Sequence, residues 1–441
     1  MNDAEEIAPE EKKKRIQLLL TRLLAVSNSS GQQFYFNYGT LLAIGIGATT
    51  IQMSFITAIQ NLGSSLFQGV FGRFSDKVGR RIILLLGFII ATITTFTLSF
   101  MTSPLVFMII IGIYSIGMSL IIPAWNALLG DISTEKTRTR LIGKMSMIGT
   151  IGSSIILLIL GSFSDLLPWK LANHIPITIT SYSPHNLDSY LSIKFLEKLP
   201  WRLADKYRIM LLFSAFIFAL ATIIIILLQE TNKQTGERKS GSFFQTFKDK
   251  NFSVLLGITS IWWFIMSFLW PIGPYVTANV NPTNFQVALL SVAFALAMAV
   301  GQWTCGRIAD KIGRRFTAFI GFVFLSFVPL TLAYAHTWQI IVIANTIAGI
   351  GNGLTFVSLG SEVLSLAKPE LKGTYTGTYN LSMGITTFVG SFAGGIIFST
   401  MLKSFDYNWA IKVFLLSLAA ARMLAAIPTL LLSRRENRAE K

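Results

Sequence analysis

The ten residues Gly72-Arg-Phe-Ser-Asp-Lys-Val-Gly-Arg-Arg81 return as Gly306-Arg-Ile-Ala-Asp-Lys-Ile-Gly-Arg-Arg315, each copy set between long apolar runs and followed by a Gly-Phe pair, Gly87-Phe88 and Gly321-Phe322. The same 234-residue offset aligns Gly117 with Gly351, Arg138 with Lys372 and Gly143 with Gly377. A charged loop repeated in register through several apolar segments means that two similar halves were built from one membrane-embedded unit.

The surrounding composition requires a membrane. Hydrophobic residues make up 52% of the 441 and charged residues only 13%, about half the charge of a soluble domain. The formal charge of +16 is spread in short clusters between apolar runs. A nucleic-acid surface would gather it on one domain, so no nucleic-acid partner is expected. The amino terminus, acidic and then basic, has no apolar core followed by a cleavage site, and reads as a cytoplasmic tail. Cys305 is the only cysteine and reads as a packing residue. His174 and His185 lack clustered ligands, so neither a metal nor any other cofactor is expected.

Runs of about 20 apolar residues cross a hydrocarbon core as helices, and twelve can be laid between residues 20 and 432. Lys12 to Arg15, both repeated loops, Lys136 to Lys144, Lys233 to Lys250, Lys368 with Lys372, and Arg434 to Lys441 fall on alternate connections. The positive-inside tendency makes that side cytoplasmic, with both termini inside and the protein multi-pass in the plasma membrane. The expected fold is an all-α integral membrane protein of twelve transmembrane helices in two pseudo-symmetric six-helix bundles. Its expected parts are a tail at 1–19, a bundle at 20–232, a linker at 233–250 rich in Lys, Gly and Ser, a second bundle at 251–433 and a tail at 434–441. An outer loop at 163–208 carries about 30 residues more than its counterpart in the second half and reads as a surface insertion, with an external partner site as the alternative.

Two constellations stand out. Gly72 and Gly306 would let helices approach closely, while Gly79 and Gly313 supply tight turns. Asp76 and Asp310 stand at helix ends where a cation would pair with them, and Arg138 and Lys372 are placed to do so. The first span is unusually polar: Asn28, Gln32 and Tyr35 share a helical face with Gln33 beside it, and amides facing lipid would be costly. This face should line a wet cavity or pack against other helices. In the seventh span Trp262, Trp263 and Trp270 could stack on a flat substrate, although Trp270 before Pro271 also suits a membrane-interface belt. Asn126, Asn345, Asn352, Tyr379 and Asn380 are further polar candidates. Arg422 lies mid-span at an insertion cost of about 2.5 to 3.5 kcal/mol; an anionic substrate or a structural contact with a neighbouring helix could offset it. No acidic residue falls at mid-membrane, so a carboxylate proton relay through the cavity has no support.

At these residues the chain resembles the major facilitator superfamily of secondary transporters. The repeated segment matches its motif A, Gly-x-x-x-Asp-[Lys/Arg]-x-Gly-Arg-[Lys/Arg], in both halves. The resemblance implies alternating access to a central cavity faced by the first and seventh spans. It also implies a cytoplasmic gate in which Asp76, Arg80 and Arg138 tie the lobes together when the cavity faces outward, with Asp310, Arg314 and Lys372 as a second latch. A non-enzymatic transporter of a small organic solute follows, with a proton as candidate coupling ion and the monomer as working unit. Efflux of amphipathic compounds ranks ahead of sugar uptake: the Gly-Arg-Arg endings favour a sugar porter, but no acidic signature follows the twelfth span. The fifth span lacks the Gly-Pro kink of drug antiporters, and Ile113 stands where proton-coupled relatives often carry Arg. A transport-inactive sensor or scaffold is the reading from another class.

Overall fold

Hydrocarbon offers a backbone no partner but itself, so each apolar run closes its hydrogen bonds within one helix, and hydroxyls inside do the same. In the helix Arg80–Ser99, Thr94 donates to the Ile90 carbonyl at 2.6 Å, Thr95 to Ala91 at 2.6 Å and Thr97 to Ile93 at 2.7 Å. The computed structural model describes residues 9–67, 71, 74, 78–132, 138–166, 202–228, 243–367 and 371–430, without the side chains of 9–14, 64, 66, 130, 138–140, 142, 202–206, 243–245, 372 and 373.

Twelve helices follow in chain order. In the first half they are α1 (Pro9–Phe34, continuing through a π turn at Tyr35–Gly39 into Thr40–Gly45), α2 (Thr50–Leu66), α3 (Arg80–Ser99), α4 (Pro104–Asp131), α5 (Arg138–Leu166) and α6 (Arg202–Leu227). The second half holds α7 (Lys250–Met266, then a 3-10 turn at Ser267–Leu269 and a short helix Gly273–Asn279), α8 (Asn284–Ile312), α9 (Arg314–Leu332), α10 (Trp338–Leu366), α11 (Lys372–Ser404) and α12 (Tyr407–Ala426). Among the described residues, ten of these are long and apolar enough to cross a membrane. The interrupted α1 and the 17-residue α2 complete the set.

Two cores form, one around Phe34, Phe88 and Phe218 that also takes in Tyr275, Ala278, Val287 and Ala288 of the second half, the other around Trp262, Phe322 and Phe414. The repeat governs how they pack. A Cβ on Gly87 would lie 3.0 Å from the Gly117 carbonyl, and one on Gly321 would lie 2.9 Å from the Gly351 carbonyl. The α3–α4 and α9–α10 crossings are thus the same backbone-to-backbone contact, used twice. Gly79 and Gly313 adopt φ of 112° and 88° at the starts of α3 and α9, a region that a Cβ disfavours. Gly313 alone joins α8 to α9.

The lobes meet along α2 and α11 and along α5 and α8. Phe55 packs on Phe392 with ring centroids 4.7 Å apart. The end of the molecule that carries Gly79 and Gly313 is termed the basic end, and its opposite the far end. The expected loop at 163–208 is shorter at both edges, because α5 runs on to Leu166 and α6 begins at Arg202; its centre, 167–201, lies outside the described residues. Of the expected linker, 233–242 also lies outside them. Phe243–Lys248 forms a 3-10 turn whose buried Thr246 meets Thr378 of α11 at 3.3 Å.

Candidate transport cavity and gates

Two helices lose regularity at equivalent places. The π turn Tyr35–Gly39 of α1 and the break in α7 around Pro271 occupy the same register in the 234-residue repeat. Irregular backbone is tolerated at membrane depth only inside protein or beside a wet cavity, and such a cavity lies between these segments. It measures about 300 Å³ and takes walls from both lobes. Phe36 and Trp270, equivalent in the repeat, both line it. Its polar groups are uncharged amides and hydroxyls, chiefly Asn37, Gln60, Asn61, Thr277 and Asn345. Asn37, Asn61 and Asn345 each donate a side-chain N–H to the carbonyl four residues back, at 2.7, 2.7 and 2.9 Å. That bond anchors the amide and holds its oxygen away from its own helix.

The residues singled out by sequence are distributed differently. Gln32 donates to Asn28 at 2.8 Å, and Gln33 accepts from Asn37 through its backbone at 2.7 Å and its side chain at 3.3 Å. Tyr35 is buried within the first lobe against Tyr114, with ring centroids 3.9 Å apart. Trp262 is fully buried and stacked on Phe322 at 4.0 Å. Trp263 and Tyr379 are brought together, the indole N–H donating to the hydroxyl at 3.1 Å. Asn352 donates to the Ala348 carbonyl of its own helix at 2.9 Å, and Asn380 is half-buried. None of these lines the 300 Å³ cavity, whereas Trp270 and Asn345, also singled out by sequence, do. The helical-face rule located the right helices, but α1 turns through a π bulge and α7 breaks, so the groups facing the cavity lie further along each chain.

Arg422 is fully buried and bonds two backbone oxygens, Leu325 at 2.9 Å and Met266 at 2.6 Å. Both carbonyls sit at helix defects. Pro329 in α9 has no N–H for the carbonyl four residues before it, which is Leu325. At the break in α7, the Trp270 N–H turns to Ser267 at 3.1 Å, so the Met266 carbonyl loses its helical i+4 donor and accepts from Arg422 instead. The guanidinium therefore supplies the two donors that the proline and the break remove.

At the basic end, Gly72 and Asp76 lie outside the described residues, as do the side chains of Arg138 and Lys372. Arg80 pairs with Asp131 at the end of α4, 3.3 Å away within the same lobe. In the second half Arg315, not Arg314, makes the corresponding contact, meeting Glu362 of α10 at 2.6 and 2.8 Å. Asp310 and Arg314 are exposed. A Cβ on Gly306 would meet nothing within 4 Å, so the close approach expected there is not made in this conformation.

Among the described residues, the direct hydrogen bonds between lobes lie at the far end. Tyr38 of α1 donates to the Asn284 carbonyl and Tyr275 to the Ala48 carbonyl, each at 2.7 Å. Asp165, in the last turn of α5, accepts the backbone N–H groups of Asn284 at 3.0 Å and Phe285 at 2.9 Å, and Asn284 donates its side-chain N–H to Ser164 at 2.7 Å. Sequence reasoning passed over Asp165, yet a signal was present. An acidic residue at the C-terminal end of an apolar helix opposes that helix's own dipole and needs a positive partner elsewhere. Gln60 and Asn61, an amide pair inside an apolar span, were missed too.

Comparison with known proteins follows this geometry. The Major Facilitator Superfamily model matches residues 19–180 and 254–441. The riboflavin transporter RibZ of Clostridioides difficile is 24% identical over 368 residues, 76% of this chain and 78% of that protein. An uncharacterized MFS-type transporter of Methanocaldococcus jannaschii, MJ1560, is 26% identical over 146 residues, which span 33% of this chain and only 36% of that protein. Among solved structures, a mutant form of the nucleoside transporter NupG superposes with a TM-score of 0.74 at 12% identity, over 94% of this chain and 99% of that one.

Proposed function

The chain belongs to the Major Facilitator Superfamily, and on that premise we propose that it is a secondary active transporter exporting an uncharged, flat, amphipathic organic solute by alternating access. The observation that carries this reading is the cavity between the lobes at the α1 and α7 discontinuities, whose described lining holds amides, hydroxyls and two large aromatics but no charged side chain. A charged solute would lose its hydration there without a counter-ion. Anchored amides favour a solute with several hydrogen-bonding groups, and Phe36, Leu41, Leu269 and Trp270 favour a flat apolar body. That apolar wall ranks export of amphipathic compounds ahead of uptake of a neutral sugar. RibZ, a riboflavin transporter by name, is a relative whose cargo has such chemistry.

Counting basic connections puts the basic end in the cytoplasm. With the lobes hydrogen-bonded at the far end, this conformer then faces inward. The gate of Asp76, Arg80 and Arg138, with its counterpart of Asp310, Arg314 and Lys372, would close in the opposite state, when Arg80 exchanges Asp131 for partners across the basic end. Exposed ion pairs worth about 0 to 1 kcal/mol each suit a lock that must also open.

The test is flux in proteoliposomes, screened with planar neutral compounds with and without an imposed proton gradient. Trp270→Ala and Asn37→Ala should each weaken apparent affinity by about tenfold, the cost of about one lost buried contact. Variants that transport as the native protein does would remove the cavity assignment. Asp76→Asn should lower flux while leaving membrane insertion intact; unchanged flux would remove the gate.

A further inference from the structure

The polar lining of the cavity between the lobes is one-sided in its hydrogen bonding. A backbone carbonyl only accepts, so every bond from a lining side chain to one spends a proton of that side chain. Asn37 donates from its amide nitrogen to two oxygens of Gln33, the backbone one at 2.7 Å and Oε1 at 3.3 Å. That occupies both of its N–H groups and leaves its Oδ1. On α2, Thr57 shares its single proton between the Met53 and Ser54 carbonyls at 3.0 and 3.2 Å. In the second lobe Thr277 donates to the Gly273 carbonyl and Ser291 to that of Val287, each at 3.3 Å. All four side chains line the cavity, and no described residue donates to their oxygens.

These four are acceptor positions. A hydroxyl that turned its proton toward a solute would give up an existing bond, whereas accepting from the solute costs it none. Among the described residues, the lining side-chain donors that no bond occupies are the Gln60 amide, the Trp270 indole N–H and the second N–H of Asn345. Two of those three groups carry an oxygen as well.

Resting on the neutral-solute reading above, we propose that the cavity selects its cargo as a hydrogen-bond donor: a flat, uncharged ring system carrying at least two N–H or O–H groups, one for the oxygens of each lobe. Stacking on Phe36 and Trp270 accepts any flat ring, so discrimination between flat compounds falls to the oxygens. Acceptor-only compounds of the same shape, such as quinones or N-alkylated rings, displace water from those oxygens and return no proton to them. The division between lobes bears on transport. Asn37 and Thr57 belong to the first lobe, Thr277 and Ser291 to the second, so a cargo with donors on two edges bonds both. Such a cargo gains affinity as the lobes close around it, and only a difference in affinity between states shifts their balance.

The test compares isomers. Quinazolinedione is a neutral fused ring with two ring N–H groups. Two methyls placed on its nitrogens remove both donors, whereas two methyls placed on its carbocycle keep them at the same mass and nearly the same volume. Both isomers, and a pair built the same way on alloxazine, are titrated against the purified protein in detergent, with binding read as a rise in the thermal unfolding midpoint. The N–H isomer should bind about tenfold more tightly or better, the scale of a net hydrogen bond in each lobe. Thr57→Val and Ser291→Ala each remove one acceptor and should each lower that ratio about threefold, while Thr57→Ser keeps it. A ratio taken within one preparation is insensitive to loss of folded protein. Equal binding of the two isomers, tighter binding of the N-methylated one, or a ratio that neither Thr57→Val nor Ser291→Ala lowers would overturn the proposal. Selective binding without flux in proteoliposomes would remove the transport reading alone, and flux without selectivity would remove this one alone. Failure of every isomer to bind would remove the neutral-solute reading and this proposal with it.

Discussion

The two halves solve the same structural problems with different chemistry. Both cross their third and fourth helices on a glycine pair, and both start the third helix after a glycine with positive φ. They part company where polar groups do the holding. Arg80 ties α3 to Asp131 through one contact at 3.3 Å, whereas Arg315, one residue later in the repeat, ties α9 to Glu362 through two contacts of 2.6 and 2.8 Å. Arg208 donates to the Ser99 and Met101 carbonyls at 3.2 and 3.1 Å, and its counterpart Lys412 instead sits 4.9 Å from the ring of Tyr334. Phe218 fills the space beside Gly31 of α1; in the equivalent place Arg422 bonds the broken α7. A duplicated backbone preserves helix crossings, since those are set by sterics with little slack. Charged contacts can migrate by a residue or a turn, because long side chains reach several acceptors from one anchor.

Arg422→Met should be the most damaging, since it removes a fully buried guanidinium's two bonds to backbone carbonyls, at about 1 to 3 kcal/mol each, read as a lowered thermal unfolding midpoint in detergent. Adding Pro329→Ala should restore part of the loss, since residue 329 then offers an N–H to Leu325. No rescue would mean that the α9 proline is not what Arg422 compensates. Next comes the glycine pair. Gly351→Ala, whose Cβ would lie 2.9 Å from the Gly321 carbonyl, should cost about 2 to 3 kcal/mol, and Gly117→Ala, at 3.3 Å from Gly87, about 1. Equal losses would show that the halves relax alike.

Smaller still, Glu362→Gln should destabilise by about 2 kcal/mol and Asp131→Asn by less than about 1, because the first breaks a two-contact buried pair and the second a single longer one. Chemical denaturation of the purified variants would rank them, and the reverse order would sink the comparison. The smallest effect is expected at the turns. Gly79→Ala and Gly313→Ala should each cost about 1 kcal/mol, the ordinary penalty for a Cβ at positive φ. A clear difference between them would mean that one loop carries strain the other lacks.

Much of the architecture was legible in the residues, because helix count, repeat register and the turn glycines follow from apolar run length and from steric limits on backbone. Gly87 with Gly117 and Gly321 with Gly351 were visible as a register before they were visible as a contact. The cavity was legible in Trp270 and Asn345 and otherwise only as a pair of helices. Asn28, Gln32 and Tyr35 share a face on a regular helix, but a π turn begins at Tyr35 and advances the face, so Phe36 and Asn37 reach the cavity. Trp270 next to Pro271 reads equally as a stacking residue or a belt residue, and the break in α7 turns it to the cavity. Local periodicity cannot register either irregularity, since both depend on a partner helix or a distant guanidinium to satisfy the backbone they disrupt. The inter-lobe role of Asp165 is likewise invisible without knowing which helix starts opposite it.

Arg422 belongs to the twelfth helix, while the carbonyls it serves belong to the seventh and the ninth, which leave the ribosome before it. Those two segments are made before the guanidinium that bonds them, and they gain that donor only when α12 follows. The packing of α7 and α9 in the second lobe is therefore completed across the chain rather than helix by helix, by a side chain supplied five and three helices later.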